Sequence, residues 1–225
     1  MYFLVDKEHK VIFGWSAKCG CTHVKKLWYF LHDIKVGNLH HNTYHSLPDD
    51  VSEYTILIFT RNPYKRLVSG FLDKYRVGGK FRRWWNKKEI KFNDFVNELF
   101  KNNWKLIERH HFCPQTSEKY DDIIFDSRVL KFYDICKIDY SYIEKLYNKK
   151  IPASVINFRG AHSRQSKIES HMSYVYNLDM DEYYNSNVET RYFYNEELKN
   201  KVYKFYEKDF DLFYRNGIDY INESL

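Results

Sequence analysis

The sequence predicts an α/β chain, in which a central, mainly parallel sheet is flanked by helices within a single domain spanning residues 1–225. Two stretches carry that prediction. Val11 to Thr22, VIFGWSAKCGCT, reads as a strand and a compact turn that run into the helical pattern HVKKLWYFLH. Tyr54 to Tyr75 repeats the plan: an apolar run TILIF, then Thr60, Arg61, Asn62 and Pro63, then a helix carrying Lys65, Arg66 and Ser69. A strand that turns straight into a helix aims several backbone N–H groups at one spot, where an anion fits. Two such junctions with cationic residues point to a polyanionic ligand.

Residues 1–10 read as a lead-in or edge strand, and Val11 to Trp15 as the first buried strand. Gly20 sits in the turn, where a left-handed backbone is tolerated. Thr22 reads as the helix N-cap, with Val24, Leu27, Trp28 and Leu31 forming an apolar face at helical spacing. Asp33 to Asp50 is a polar loop holding His40, His41 and His45. Pro63 suits a first helical turn, and Leu67, Val68, Phe71, Leu72 and Tyr75 form the buried stripe behind it, with Arg66 and Ser69 sharing another face. Phe92 to Phe100 is an amphipathic helix with Phe92, Phe95, Val96, Leu99 and Phe100 inward. Glu108 to Gln115 reads as a loop, Tyr120 to Phe125 as a third strand, and Val129 to Ile138 as strand or helix. Tyr140 to Lys149 suits a helix ended by Pro152. Phe158 to Ser166 reads as a loop fit for an anion or a plain connection. Glu196 to Phe213 reads as one long helix.

With 44% hydrophobic and 19% aromatic residues, the chain can fill a core, which excludes global disorder. Thirty-six basic against 30 acidic side chains give +6, a mild bias toward anionic partners and too little to argue for nucleic acid. The densest basic stretch, Lys80 to Lys91, alternates cations with aromatic residues and suits an anionic sugar chain, a nucleic acid or a solvated connection. Cys19, Cys21, Cys113 and Cys136 do not form a secreted disulfide pattern, and Cys-Gly-Cys is too tight for a zinc knuckle. A zinc site drawing on distant histidines stays open. No run reaches membrane-spanning length and no signal peptide is recognisable, so a soluble cytoplasmic or other intracellular setting is expected.

The first turn departs from the nucleotide P-loop, because Lys18 precedes Gly20 instead of following a glycine, and it lacks the dinucleotide fingerprint. It leaves a lysine at the tip of an anion-binding turn, or else a surface lysine beside a tight one.

AKCGCT with its helix, followed by IFTRNPYKRLVSGFLDKY, resembles the PAPS-dependent sulfotransferases, nearest the carbohydrate branch of chondroitin, dermatan and HNK-1 type. KFNDFVNELF, RHHFCPQ and KVYKFYEKDFDLFYRNG are similar to further segments of that family, so the likeness covers most of residues 11–217. Ala17 stands where the family has proline, and Tyr214 where it closes on glycine. The resemblance implies a P-loop-like three-layer fold and transfer of a sulfonate from PAPS to a carbohydrate or glycan hydroxyl, with PAP as product; the stretch Lys80 to Lys91 suits an anionic acceptor. It implies that Lys18, Cys19, Gly20, Cys21 and Thr22 bind the 5′-phosphosulfate end. Arg61 and Ser69 hold the 3′-phosphate, and Arg159 or Ser163 complete that pocket. No metal, membrane or nucleic acid is called for.

In the chemistry so implied, Lys18 and the amides of Gly20, Cys21 and Thr22 meet the charge developing on the leaving group. A general base takes the acceptor proton, and histidine suits it. His41 and His111 are the two candidates, His110 and His45 trail them, and Glu108 is an acidic option. Two other classes remain: a Mg²⁺-dependent nucleotide or polynucleotide kinase using Asp121 and Asp122, and a nucleic-acid-binding module using Arg82, Arg83, Lys87 and Lys88.

Overall fold

The computed structural model describes residues 1–35, 39, 45–85, 88–116, 129–158, 174–183 and 188–225. In chain order the regular elements are β1 (Tyr2–Asp6), β2 (Val11–Trp15), α1 (Cys21–Leu31), β3 (Thr55–Thr60), α2 (Pro63–Tyr75), α3 (Phe92–Phe100), α4 (Arg109–Phe112), β4 (Val129–Asp134), α5 (Ser141–Tyr147), α6 (Ala153–Ile156), α7 (Met180–Tyr183), α8 (Glu196–Phe205) and α9 (Glu207–Arg215). The architecture is the expected α/β one, a central mixed, mainly parallel sheet flanked by helices. The strand order is β1-β2-β3-β4; β1 joins antiparallel at the edge, and β2, β3 and β4 run parallel. No helix among the described residues is long and apolar enough to cross a membrane.

The chain forms two compact units, Met1–Arg61 with Gln115–Ala161, and Asn62–Pro114 with His162–Leu225. The first holds the sheet. Because successive side chains leave a strand on opposite faces, Val11, Phe13, Trp15, Leu57 and Phe59 pack with Val24, Leu27, Trp28 and Leu31 of α1 and with Ile143, Tyr147, Ile151 and Val155. Phe3, Val5, Ile12, Tyr54, Ile56 and Ile58 pack on the other face with Leu130 and Phe132. The ambiguous stretch after Val129 is therefore a strand, and it ends at Asp134.

The second unit is cored by aromatic rings. Phe71 packs on Phe92 and Phe95, Phe95 on Phe112, and Tyr64 on Tyr194 and Phe210. Phe100, expected inward, is 45% exposed at the last position of α3. The single long helix expected over Glu196 to Phe213 is two helices broken at Tyr206. Tyr206 is buried and donates its hydroxyl to the Phe112 carbonyl at 2.6 Å, a long-range bond that local periodicity cannot foresee. The expected strand Tyr120–Phe125 lies outside the described residues.

Candidate active site

In the first unit, β2 ends at Trp15 and the chain reverses within five residues. Cys19 N–H closes the turn on the Ser16 carbonyl at 3.1 Å. Both Lys18 (φ 68) and Gly20 (φ 73) adopt the left-handed conformation. Lys18 does so as a non-glycine residue, a strain that clusters at ligand clamps. At Gly20 a Cβ would lie 2.3 Å from Ile135 Cγ1, so the position excludes a side chain twice over. The N-cap of α1 is accordingly Gly20, not Thr22, and the helix starts two residues earlier than expected. As the N-cap residue Gly20 has no side chain with which to cap this end, and the first turn contains no acidic residue. An 11-residue helix thus offers its leading N–H groups and the positive end of its dipole to an anion.

Arg61 follows β3, at the carboxyl end of the parallel strands, where ligands of open α/β sheets gather. Its guanidinium Nη1 reaches the Lys18 carbonyl at 3.4 Å, which ties it to the turn. Its Nε is buried with no hydrogen-bond partner among the described residues. A guanidinium held at one end, with a buried donor still to satisfy, suits an incoming phosphate oxygen. Burial pushes the Cys21 thiol up, against the pull of Lys25, so Cys21 stays a neutral S–H. All four cysteines are thiols. Among the described residues no group of three or more His, Cys, Asp or Glu side chains could hold a metal ion.

The second unit carries Ser69, half-buried on α2. Pro63 occupies the first turn as expected, and Asn62 caps the helix by accepting from Tyr64 N–H at 3.0 Å. Arg66 departs from expectation. It is 1% exposed and donates from Nη1 to the Cys113 carbonyl at 2.8 Å, so it fixes the 109–113 turn. That turn is the short helix α4, where the sequence pattern reads as a loop. Glu108 caps it, its carboxylate accepting from the N–H groups of His110 (3.0 Å) and His111 (2.9 Å). Gly70, beside Ser69, lets it approach closely: a Cβ there would sit 2.7 Å from Phe112 Cε1.

His111 also bonds through Nδ1 to the Glu108 carboxylate. A proton on Nδ1 leaves the Nε2 lone pair as the proton acceptor. Burial pushes the imidazole down to about 4, with Lys74 acting the same way and Glu108 opposing. The ring is therefore neutral at neutral pH, as a base must be. The other candidates, His41, Arg159 and Ser163, lie outside the described residues, as do His40, Lys87, Asp121 and Asp122.

The model of the sulfotransferase family matches residues 1–215. The chain belongs to the sulfotransferase family. Carbohydrate sulfotransferase 8 of Mus musculus is 29% identical over 87 residues, covering 32% of this chain and 21% of that protein. The human carbohydrate sulfotransferase 8 is likewise 29% identical over 87 residues, covering 20% of its own length. The match thus spans about a fifth of each relative's length. No solved structure matches the chain. Within this sulfotransferase-family chain, sequence reasoning passed over Gln115, a buried amide that bonds to Arg61. Its signal was the family segment RHHFCPQ, in which it is the closing residue.

Proposed function

We propose that this sulfotransferase-family chain transfers a sulfonate from PAPS to a hydroxyl of a carbohydrate or glycan, its two units forming one functional domain over residues 1–225. The observation that carries the reading is the uncapped start of α1 beside Lys18, with Arg61 anchored to the same turn. PAPS supplies the activated sulfonate and a leaving phosphate. Lys18, Cys19, Gly20, Cys21 and Thr22 bind the phosphosulfate end, the Lys18 ammonium and the amides meeting charge as it develops on the leaving oxygen. Arg61 binds the 3′-phosphate; Ser69, Arg159 and Ser163 are assigned there by motif alone. His111, or His41, takes the proton of the acceptor hydroxyl.

The name of the two relatives supports a carbohydrate acceptor. So does an open depression of the second unit lined by Gly78, Gly79, Lys80, Arg82 and Arg83. Asp181 holds Arg82 there through two bonds of 2.6 and 2.7 Å, while Lys80 and Arg83 stay exposed and Trp84 is 38% exposed. An indole beside exposed cations suits a sugar ring carrying acidic groups.

The first test is thermal stabilisation by PAP, ADP and ATP without metal. A ligand that binds only the folded state raises apparent stability, by about 2.7 kcal/mol at a hundredfold excess over Kd. PAP is expected to stabilise more than ADP, and Arg61→Ala to remove that preference. If PAP is inert and ATP acts only with Mg²⁺, the kinase class replaces this reading.

The base is tested by pH. With His111 as base, kcat stays level as pH falls from neutrality and drops with a midpoint near about 4. Unfolding returns the ring to its ordinary 6.5, so the unfolded chain binds the proton first. Folded stability is therefore lost as pH falls from about 6.5 toward about 4. His111→Asn should remove the acid limb. An acid limb near 6.5 that survives in His111→Asn assigns the base elsewhere, with His41 next.

A further inference from the structure

We propose that Gln115 is a positioning residue that locks Arg61 and the Ser16–Cys21 turn into one preformed anion-binding unit. The inference rests on the donor site proposed above. Gln115 is 2% exposed, and each polar group of its side chain is used. Its Oε1 accepts from Arg61 N–H at 2.9 Å, and its Nε2 donates to the Arg61 carbonyl at 2.7 Å. One primary amide thus pairs with both backbone groups of one residue, as a neighbouring strand would. The pairing falls just past the end of β3, where Ile135 N–H bonds to the Thr60 carbonyl at 2.9 Å.

The same oxygen accepts from the Cys19 thiol at 2.8 Å, and the Gln115 carbonyl accepts from the Ser16 hydroxyl at 2.7 Å. Ser16 and Cys19 bracket Lys18, whose own carbonyl receives the Arg61 guanidinium at 3.4 Å. One residue therefore holds the Arg61 backbone at one junction and the Cys19 and Ser16 side chains at the other. The separation of the two junctions, which must match the distance between the two phosphate ends of the donor, is set before any ligand arrives. Ordering a residue's backbone costs on the order of 1–2 kcal/mol, and a site ordered in advance does not lose it on binding. A carboxamide does this at any pH, and an ionised carboxylate cannot. The pairing needs an acceptor for Arg61 N–H and Cys19 and a donor for the Arg61 carbonyl on the same plane.

The experiment compares PAP with 5′-AMP, which lacks the 3′-phosphate, by calorimetry on the full chain. The proteins are wild type, Arg61→Ala, Gln115→Met and Gln115→Glu. Methionine keeps length and apolar volume and removes all three bonds. Glutamate keeps the acceptors and removes the donor to the Arg61 carbonyl. The expected result is a preference for PAP in wild type that falls roughly tenfold or more in Gln115→Met, toward the Arg61→Ala level. Gln115→Glu should fall between, and it alone decides if the methionine variant does not fold. A purely structural role would lower melting temperature and leave the PAP-to-AMP ratio at the wild-type value, which overturns the proposal. No preference for PAP in wild type, or one indifferent to Arg61→Ala, instead overturns the donor-site reading, and the role given to Gln115 falls with it.

Discussion

Lys18→Ala is expected to lower kcat for sulfonate transfer by roughly 10²–10³-fold, the scale set by removing one preorganised donor from a developing oxyanion. Lys18 sits in the turn three residues before the first residue of α1. Its left-handed backbone, φ 68, is strained in any residue with a Cβ. That strain separates chemistry from folding. Lys18→Gly removes the ammonium and relieves the backbone together, so it should melt at or above the wild-type temperature while losing activity as fully as Lys18→Ala. Burst and steady-state assays with radiolabelled PAPS measure the loss, and calorimetric scans measure the melting. If Lys18→Gly stays active within about threefold, no ammonium at this position acts on the leaving group.

The largest stability effect is expected at Asp6, far from this chemistry in the sequence. Its side chain is buried at the end of β1 and collects a full set of donors. Glu8 N–H and His9 N–H, both at 3.0 Å, bond to Oδ1. His9 Nδ1 (2.9 Å), His32 Nε2 (2.9 Å) and Tyr147 OH (2.8 Å) gather on Oδ2. The cluster ties the β1–β2 turn, the end of α1 and α5 together. Burial pushes the Asp6 carboxyl up, but the His9 amide, the Tyr147 hydroxyl and the two imidazoles outweigh it and hold the group below its ordinary value. Asp6→Ala strands these donors, a loss of about 3–5 kcal/mol, read as a fall in Tm of roughly 10 °C for a chain of this size. The sign with pH follows. The unfolded chain protonates Asp6 before the folded one does, so its contribution is complete above the ordinary carboxylate range. It disappears as pH falls through the lowered folded value. Asp6→Asn should flatten that part of the acid-unfolding curve. A fall of less than about 2 °C in Asp6→Ala would show the cluster to be ornamental.

Much of this molecule was legible in its sequence, and the exceptions share one physical origin. β2, α1, β3 and α2 follow from local rules: apolar runs of strand length, a turn chemistry that tolerates left-handed backbone, and a proline at a helix start. What escaped depends on partners distant in the chain. A cation at helical spacing reads as exposed, yet Arg66 is buried because the Cys113 carbonyl receives it. The Tyr206 break answers to its bond with the Phe112 carbonyl, 94 residues away, and that bond and the one from Arg66 hold α4 in place. The same holds at the candidate site. Lys18, Gly20 and Arg61 are legible as a turn and a strand end, while Gln115, which joins Arg61 to the turn, is legible only as the closing residue of the family segment RHHFCPQ, with no sign of what it touches. His111 was legible as a histidine in a family segment, but its capping by Glu108 required the turn itself.

Tyr220 is buried against Phe213, and Glu223 both accepts from Asn62 Nδ2 at 2.7 Å and pairs with Lys65 at 3.2 Å. The start of α2 is thus completed by a carboxylate 161 residues further along the chain. Closing so long a loop is entropically costly, so the first turn of α2 reports on whether the whole second unit has assembled: amide exchange there should track the unit's global opening and not local fraying of the helix.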